Sequence, residues 1–172
     1  MNVKLIFRVL GFLLFVEGVA MMLPLMVALF YRGYDLNAFM ISSAITIASG
    51  AFILAFARQA AKDIGKREGF IIVSFVWILF SFFGSLPYII SGAIPNFTNA
   101  FFETISGFTT TGSSVLDNIE ELPHGILFWR SLTQWLGGMG IIVLSLAILP
   151  VFGIGGMQLY VAEVPGPTPD KI

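Results

Sequence analysis

The chain has 172 residues, 57% of them hydrophobic and 11% charged, with a formal net charge of −1. A soluble domain carries about 25% charged residues, so this composition cannot dress a water-exposed globule and points to a bilayer as solvent. The charge balance leaves no basic patch for nucleic acid, the absence of cysteine excludes disulfides, and the single histidine, His124, argues against a histidine-based metal site.

A spanning helix needs roughly 20 mostly apolar residues, and four segments qualify. The first runs from about Val9 to Phe30 and is broken only by Glu17. Lys4 and Arg8 ahead of it resemble the start of a signal peptide. The run is too long for that, and it reads as a retained transmembrane helix. The second segment, Leu36 to Ala57, and the third, Gly69 to Ile94, contain no charge. The fourth, Gly125 to about Phe152, carries Arg130 near its start. Small residues recur at a spacing of four, Ser42, Thr46 and Gly50 on the second helix and Ser81 and Ser85 on the third, as close helix contacts in lipid require. Gly137, Gly138 and Gly140 on the fourth read as tight packing, with a flexible inner-pore hinge as the alternative.

The connections give the orientation. Tyr31 to Asp35 is short, so the first two helices form an antiparallel hairpin. Arg58 to Glu68 is a basic loop, and Pro95 to His124 contains no Lys or Arg. With a cytoplasmic N-terminus, the inner side holds Lys4, Arg8, Arg58, Lys62, Lys66, Arg67 and Lys171, and the outer side only Arg32 and Arg130. The positive-inside rule therefore predicts both termini in the cytoplasm.

The outer connection Pro95 to His124 carries the chemistry. Phe97, Phe101, Phe102, Ile105 and Phe108 make it too apolar for a solvated loop. Asn99 to Phe108 forms a helix of about 15 Å, half of a hydrocarbon core of about 30 Å. A half-helix that enters, stops and returns fits these lengths, with Asn99 as N-cap and Glu103 complementing the positive end of its dipole. The return leg Thr109 to Val115 is rich in Thr, Gly and Ser. Irregular backbone at membrane depth must be buried in protein or line a water-filled path. A cation leaving water needs oxygen ligands, and a row of carbonyls supplies them. Gly112, tolerant of positive φ, lets successive carbonyls of Thr109, Thr110, Thr111, Gly112 and Ser113 turn one way, and the hydroxyls add oxygens or brace the strand.

At these residues the sequence resembles the Trk/Ktr/HKT superfamily of potassium transporters, and within it the TrkH-type bacterial subunits. The resemblance rests on Thr110-Thr111-Gly112-Ser113 after an aromatic half-helix, on Leu122 to Arg130, on Gln134 to Ile142, on Gly155 to Tyr160 and on Pro165-Gly166-Pro167, in that order. It is strong from about Phe70 to Pro167 and weaker over the first two helices. It implies a leading hairpin followed by four helix–pore-loop–helix repeats around one pore. The fold expected for this chain is all-α and integral to the membrane, with four transmembrane helices plus one re-entrant pore half-helix and an extended filter loop. Residues 1–68 then form the hairpin and cytoplasmic loop, 69–161 the first repeat, and 162–172 the start of a cytoplasmic linker to a second repeat. The family's filter glycine carries over to Gly112 and its flanking positions to Thr110, Thr111 and Ser113. Potassium, the transported ion, would be held through Thr110, Thr111 and Gly112, with no other cofactor.

The resemblance further implies a bacterial inner-membrane location, a cytosolic nucleotide-binding regulatory subunit and homodimerisation of the full-length protein. One pore loop cannot surround an ion. The chain is therefore expected to be the N-terminal portion of a longer protein needing three further repeats. The alternatives are further copies in a homotetramer and a non-conducting scaffold.

Other residues receive structural readings. Glu17 is expected to find a polar partner or to be protonated. Arg130 is expected to snorkel or to pair with Glu103, Asp117, Glu120 or Glu121, and the last three, near the outer mouth, either concentrate cations or form a solvated turn. No catalytic residue is expected. Ser113 lacks a G-x-S-x-G setting, His124 lies near the surface, and no Asp falls within a span.

Overall fold

A computed structural model describes residues 3–57 and 66–148. Seven α-helices and one short 3-10 turn make up these residues, with no strand among them. Helix α1 is Val3–Ala20, α2 Met22–Tyr31, α3 Leu36–Phe56, α4 Lys66–Gly84, α5 Leu86–Ser91, α6 Phe97–Phe108 and α7 His124–Ile148. A first compact unit covers Met1–Gly138 and a second begins at Met139; the contacts below all lie in the first.

Among the described residues, three stretches are long and apolar enough to cross a membrane, namely Val3–Tyr31, Leu36–Phe56 and Glu68–Ser91. They coincide with the first three predicted spans. The fourth predicted span falls on α7, which is not one of these three stretches, and its end beyond residue 148 lies outside the described residues.

Two of the spans are interrupted where the sequence reading drew them continuous. The first breaks at Met21 and the third at Ser85. Pro24 and Pro87 explain both breaks. A proline lacks the amide proton that would bond the carbonyl four residues earlier, and its ring crowds that carbonyl. The affected carbonyls belong to Ala20 and Phe83, each in the last turn before its break.

The leading hairpin closes by small-residue packing. Ser42, Thr46 and Gly50 are all buried on α3, so the spacing of four is a contact face. A Cβ on Gly50 would lie 2.6 Å from the backbone nitrogen of Phe15 on α1. The helices touch backbone to backbone there. Large apolar residues point the other way: Phe30 is 83% exposed, Phe52 75% and Phe56 78%. An exterior of this kind suits lipid, which holds apolar side chains at no cost.

The buried core joins the hairpin to the rest. Met21, Ala28 and Phe39 pack in one cluster with Tyr88, Ile94, Ala100, Phe108, Ile126, Trp129 and Leu132. Trp129 is fully buried, and its indole N–H donates to the Gly84 carbonyl at 2.9 Å. That carbonyl sits at the α4–α5 break, so α7 supplies the break with a donor. Glu17 is 1% exposed, and neither carboxyl oxygen has a hydrogen-bond partner among the described residues. The polar partner expected for it is not found; its Oε1 instead lies beside Gly84.

Candidate functional site

The re-entrant segment begins where Gly92, at φ 76°, turns the chain out of α5. Asn96 then starts α6 with extended backbone, φ −81° and ψ 123°, its side chain accepting from Thr98 N and Asn99 N at 2.9 Å and 3.3 Å. The N-cap expected at Asn99 is thus corrected to Asn96. Asn99 lies inside the first turn and donates to the cap. Pro95 before it holds the preceding chain out of helix. Capping of this kind is worth about 1 kcal/mol. Asn96→Ala is expected to lower the unfolding free energy by about that amount, read as a small drop in melting temperature in detergent.

Helix α6 has 12 residues, about 18 Å, which is a half-membrane length. Its buried face consists of Ala100, Glu103, Thr104, Ser106, Gly107 and Phe108. Phe108, at its end, is 1% exposed and packs its ring against Phe80 and Trp129.

Beyond Phe108 the chain leaves the helix and becomes exposed from Thr109 through Val115. Thr110 and Gly112 both take positive φ, 56° and 76°. The donors and acceptors here divide cleanly. Thr110 N donates to Gly107 O at 3.0 Å and Thr111 N to Ser106 O at 3.0 Å. Ser106 Oγ donates to the Ser113 carbonyl at 2.6 Å. Thr110 Oγ1 donates to the Thr109 carbonyl at 2.7 Å. Thr109 Oγ1 donates to Ile105 O at 2.7 Å and lies 2.9 Å from Thr111 Oγ1. The carbonyls of Thr109 and Ser113 are therefore turned to protein donors. Those of Thr110, Thr111 and Gly112 receive no protein hydrogen bond among the described residues. Of the five residues singled out from the sequence, the middle three keep open carbonyls, and the threonine hydroxyls brace.

Glu103 anchors this loop. It is 3% exposed and accepts at 2.7 Å from Arg130 Nε on α7. It also accepts from Ser114 Oγ at 3.0 Å and from Val115 N at 3.0 Å. One carboxylate thus ties together the half-helix, the returning strand and α7. The role expected for Glu103 at the helix dipole is replaced by this one, since it lies in the second turn of α6 and faces inward. Arg130 pairs with Glu103, one of its four candidate partners. Asp117, Glu120 and Glu121 lie exposed around the 3-10 turn Ile119–Glu121.

Gly137 brings α7 against the end of the half-helix. A Cβ there would collide with the carbonyl oxygen, carbonyl carbon and Cα of Phe108. Among the described residues, this is direct backbone packing next to the Thr109 turn, as expected for Gly137. Asp35 was missed as a site residue. It is fully buried, and its Oδ2 accepts at 3.1 Å from the backbone N–H of Ile126 in the first turn of α7. Beside it, the rings of Tyr31 and His124 stack at 4.0 Å. The hairpin loop thus caps the helix that carries Arg130 and Gly137. An acid next to an apolar run was the only trace of this in the sequence.

The chain is similar to known proteins over most of its length. Residues 35–172 match the family model described as "TrkH: Cation transport protein". The Trk system potassium uptake protein TrkH of Escherichia coli (strain K12) is 45% identical over 173 residues, covering 99% of this chain and 36% of that protein. Its counterpart in Halomonas elongata is 43% identical, again over 99% of this chain and 36% of the relative. The crystal structure of the potassium transporter TrkH from Vibrio parahaemolyticus superposes with a TM-score of 0.84 at 43% identity, covering 95% of this chain and 35% of that one. The chain therefore spans about a third of the length of these relatives. The match to the family model over most of the chain, and the apolar helices that carry it, make this a multi-pass membrane protein belonging to the TrkH family of cation transport proteins.

Proposed function

We propose that this chain supplies one wall of a potassium-selective path, with Thr109 to Ser113 as the ion-facing segment and the carbonyls of Thr110, Thr111 and Gly112 as ligands. The observation that carries the reading is the set of three open carbonyls on exposed, non-helical backbone at the end of a half-length helix. Carbonyl oxygens replace the water that a potassium ion sheds, and the C-terminal end of α6 points its negative dipole end at the same place. The names of the relatives, potassium uptake proteins of the Trk system, support the choice of ion.

One such loop presents ligands from one side only. The remaining sides come from three further repeats of the same kind, and residues 69–161 act as the first of them. Residues 1–68 pack as the leading hairpin, and 162–172 open the linker to the next repeat. The basic residues Lys4, Arg8, Arg58, Lys62, Lys66 and Arg67 support a reading with both termini in the cytoplasm, and the bacterial relatives support an inner-membrane location. A cytosolic nucleotide-binding regulator and a second copy of the full protein complete the assembly.

The test is Gly112→Arg in the protein carrying this segment. A side chain at φ 76° is strained, and a fixed cation repels the permeating one. Rubidium uptake is expected to fall to background while the amount inserted in the membrane stays the same. Unchanged uptake would sink the filter assignment. Reconstituting residues 1–172 alone and measuring rubidium flux separates the two ways of closing the ring. Absence of flux assigns the other walls to further repeats, and flux assigns them to copies of this chain.

A further inference from the structure

Thr110 occupies a position where helices ordinarily place glycine. The end of α6 closes as a Schellman turn: Thr111 N reaches back to Ser106 O and Thr110 N to Gly107 O, each at 3.0 Å. In that motif the residue after the cap is left-handed and is usually glycine because it has no Cβ. Here it is a threonine at φ 56°. A β-branched side chain at positive φ is a true outlier, and such outliers persist where the surroundings over-determine them.

The surroundings do so from both sides. Ser106 accepts from Thr111 N, and through its hydroxyl it holds the Ser113 carbonyl at 2.6 Å. Glu103 holds Ser114 and Val115 just beyond. Thr110 is pinned between a helix end and an anchored strand, and Gly112, at φ 76°, is the second left-handed residue inside the same interval. In an ordinary extended strand successive carbonyls alternate in direction. A change in the sign of φ rotates the peptide planes out of that alternation. The hydroxyl of Thr110 donates to the Thr109 carbonyl at 2.7 Å, which ties the side chain to the backbone and leaves its oxygen lone pairs free, so backbone and hydroxyl must be separated by substitution.

We propose that Thr110 is a positioning residue whose left-handed backbone, and not its hydroxyl, sets the direction of the Thr110 to Gly112 carbonyls, so that the Schellman turn of α6 and the ion-facing row form one unit. The inference rests on the filter reading above and deepens it. The sequence suggested a single glycine as the source of the turn; the second source is a residue whose type hides it.

Thr110→Gly, Thr110→Ser and Thr110→Val test the proposal with two readouts. Melting temperature of the purified chain in detergent reports the backbone. Glycine accepts φ 56° freely and is expected to raise it, while valine, branched and without the hydroxyl, is expected to lower it. The ratio of rubidium to sodium uptake in the protein carrying this segment, normalised to inserted protein, reports the carbonyl row. That ratio is expected to be at least tenfold higher in Thr110→Gly than in Thr110→Val, the equivalent of about 1.4 kcal/mol.

Four results overturn the proposal. A lower melting temperature in Thr110→Gly means the backbone is not left-handed. Equal loss of selectivity in the Gly and Val variants, with Ser retaining it, makes the hydroxyl the active group. Equal retention in Gly and Val leaves Thr110 as a helix stop only. Unchanged uptake in Gly112→Arg removes the filter reading and the proposal together, whereas a normal loss there beside any of the first three results removes the proposal alone.

Discussion

Glu103→Ala is expected to destabilise the folded chain by about 3 kcal/mol, the low end of the range for breaking a buried ion pair from one side. The low end applies because the Arg130 side chain retains 21% exposure while that of Glu103 retains 2%. The penalty is not the lost attraction alone. Removing the carboxylate leaves the Arg130 guanidinium, the Ser114 hydroxyl and the Val115 amide short of an acceptor at once. A fully buried donor left unsatisfied costs about 1–3 kcal/mol, but Ser114 and Val115 are exposed and can turn to water, which also keeps the total at the low end. Glu103→Gln keeps an acceptor oxygen but loses the charge, so it is expected to fall between wild type and alanine. Thermal unfolding in detergent measures the order, and a double-mutant cycle with Arg130→Met isolates the pair. If Glu103→Ala and Arg130→Met prove additive, the two residues do not act together and the clamp is wrong.

The second large effect belongs to Gly137. Gly137→Val places its Cβ into the backbone of Phe108. A flexible side-chain tip can move aside at little cost, but the last turn of α6 cannot. It is held by Thr109 N to Ile105 O at 2.9 Å and by the Schellman bonds, and it abuts Trp129 and Phe80. Overpacking of a close-packed site costs about 1–3 kcal/mol, and more where backbone must yield. The expected outcome is a fall in melting temperature at least as large as for Glu103→Ala, with rubidium uptake lost even in protein that inserts. Gly137→Ala is expected to show a smaller loss of the same kind. A valine variant that melts like wild type would mean that α7 does not lie against the half-helix at this point.

Much of this architecture was legible in the sequence because lipid imposes simple rules. Long apolar runs mark spans, and a short aromatic run followed by Thr, Gly and Ser marks a half-helix that turns back. What the sequence obscured was local in two places and distant in two others. Hydropathy averaged along a run does not register Pro24 or Pro87, so single helices were drawn where breaks occur at Met21 and Ser85. Asn96 and Asn99 are both good caps by type, and the choice depends on which has extended backbone. Glu103 and Arg130 are 27 residues apart, and the sequence offered Glu103 only as one of four acids for Arg130; Asp35 and Ile126 are 91 apart and nothing in the sequence paired them. No periodicity connects such pairs; only the tertiary fold brings them together. Thr110 is a different case, since its residue type argues against the conformation it adopts.

The contact between Asp35 and Ile126 has a consequence for the order of assembly. Synthesis delivers the hairpin first, and α1 and α3 can seat their glycines and serines together as soon as both are in the bilayer. The carboxylate at their turn then waits, because its amide partner is made 91 residues later. Ala28 and Phe39 from the hairpin and Ile126 from α7 belong to one apolar cluster, and Asp35, Ala28 and Phe39 all crowd Gly125 at the start of α7. Closing that cluster and finding the amide are therefore one event, which completes only when the start of α7 arrives. Until then the turn stays hydrated, and the start of α7 is what seals it.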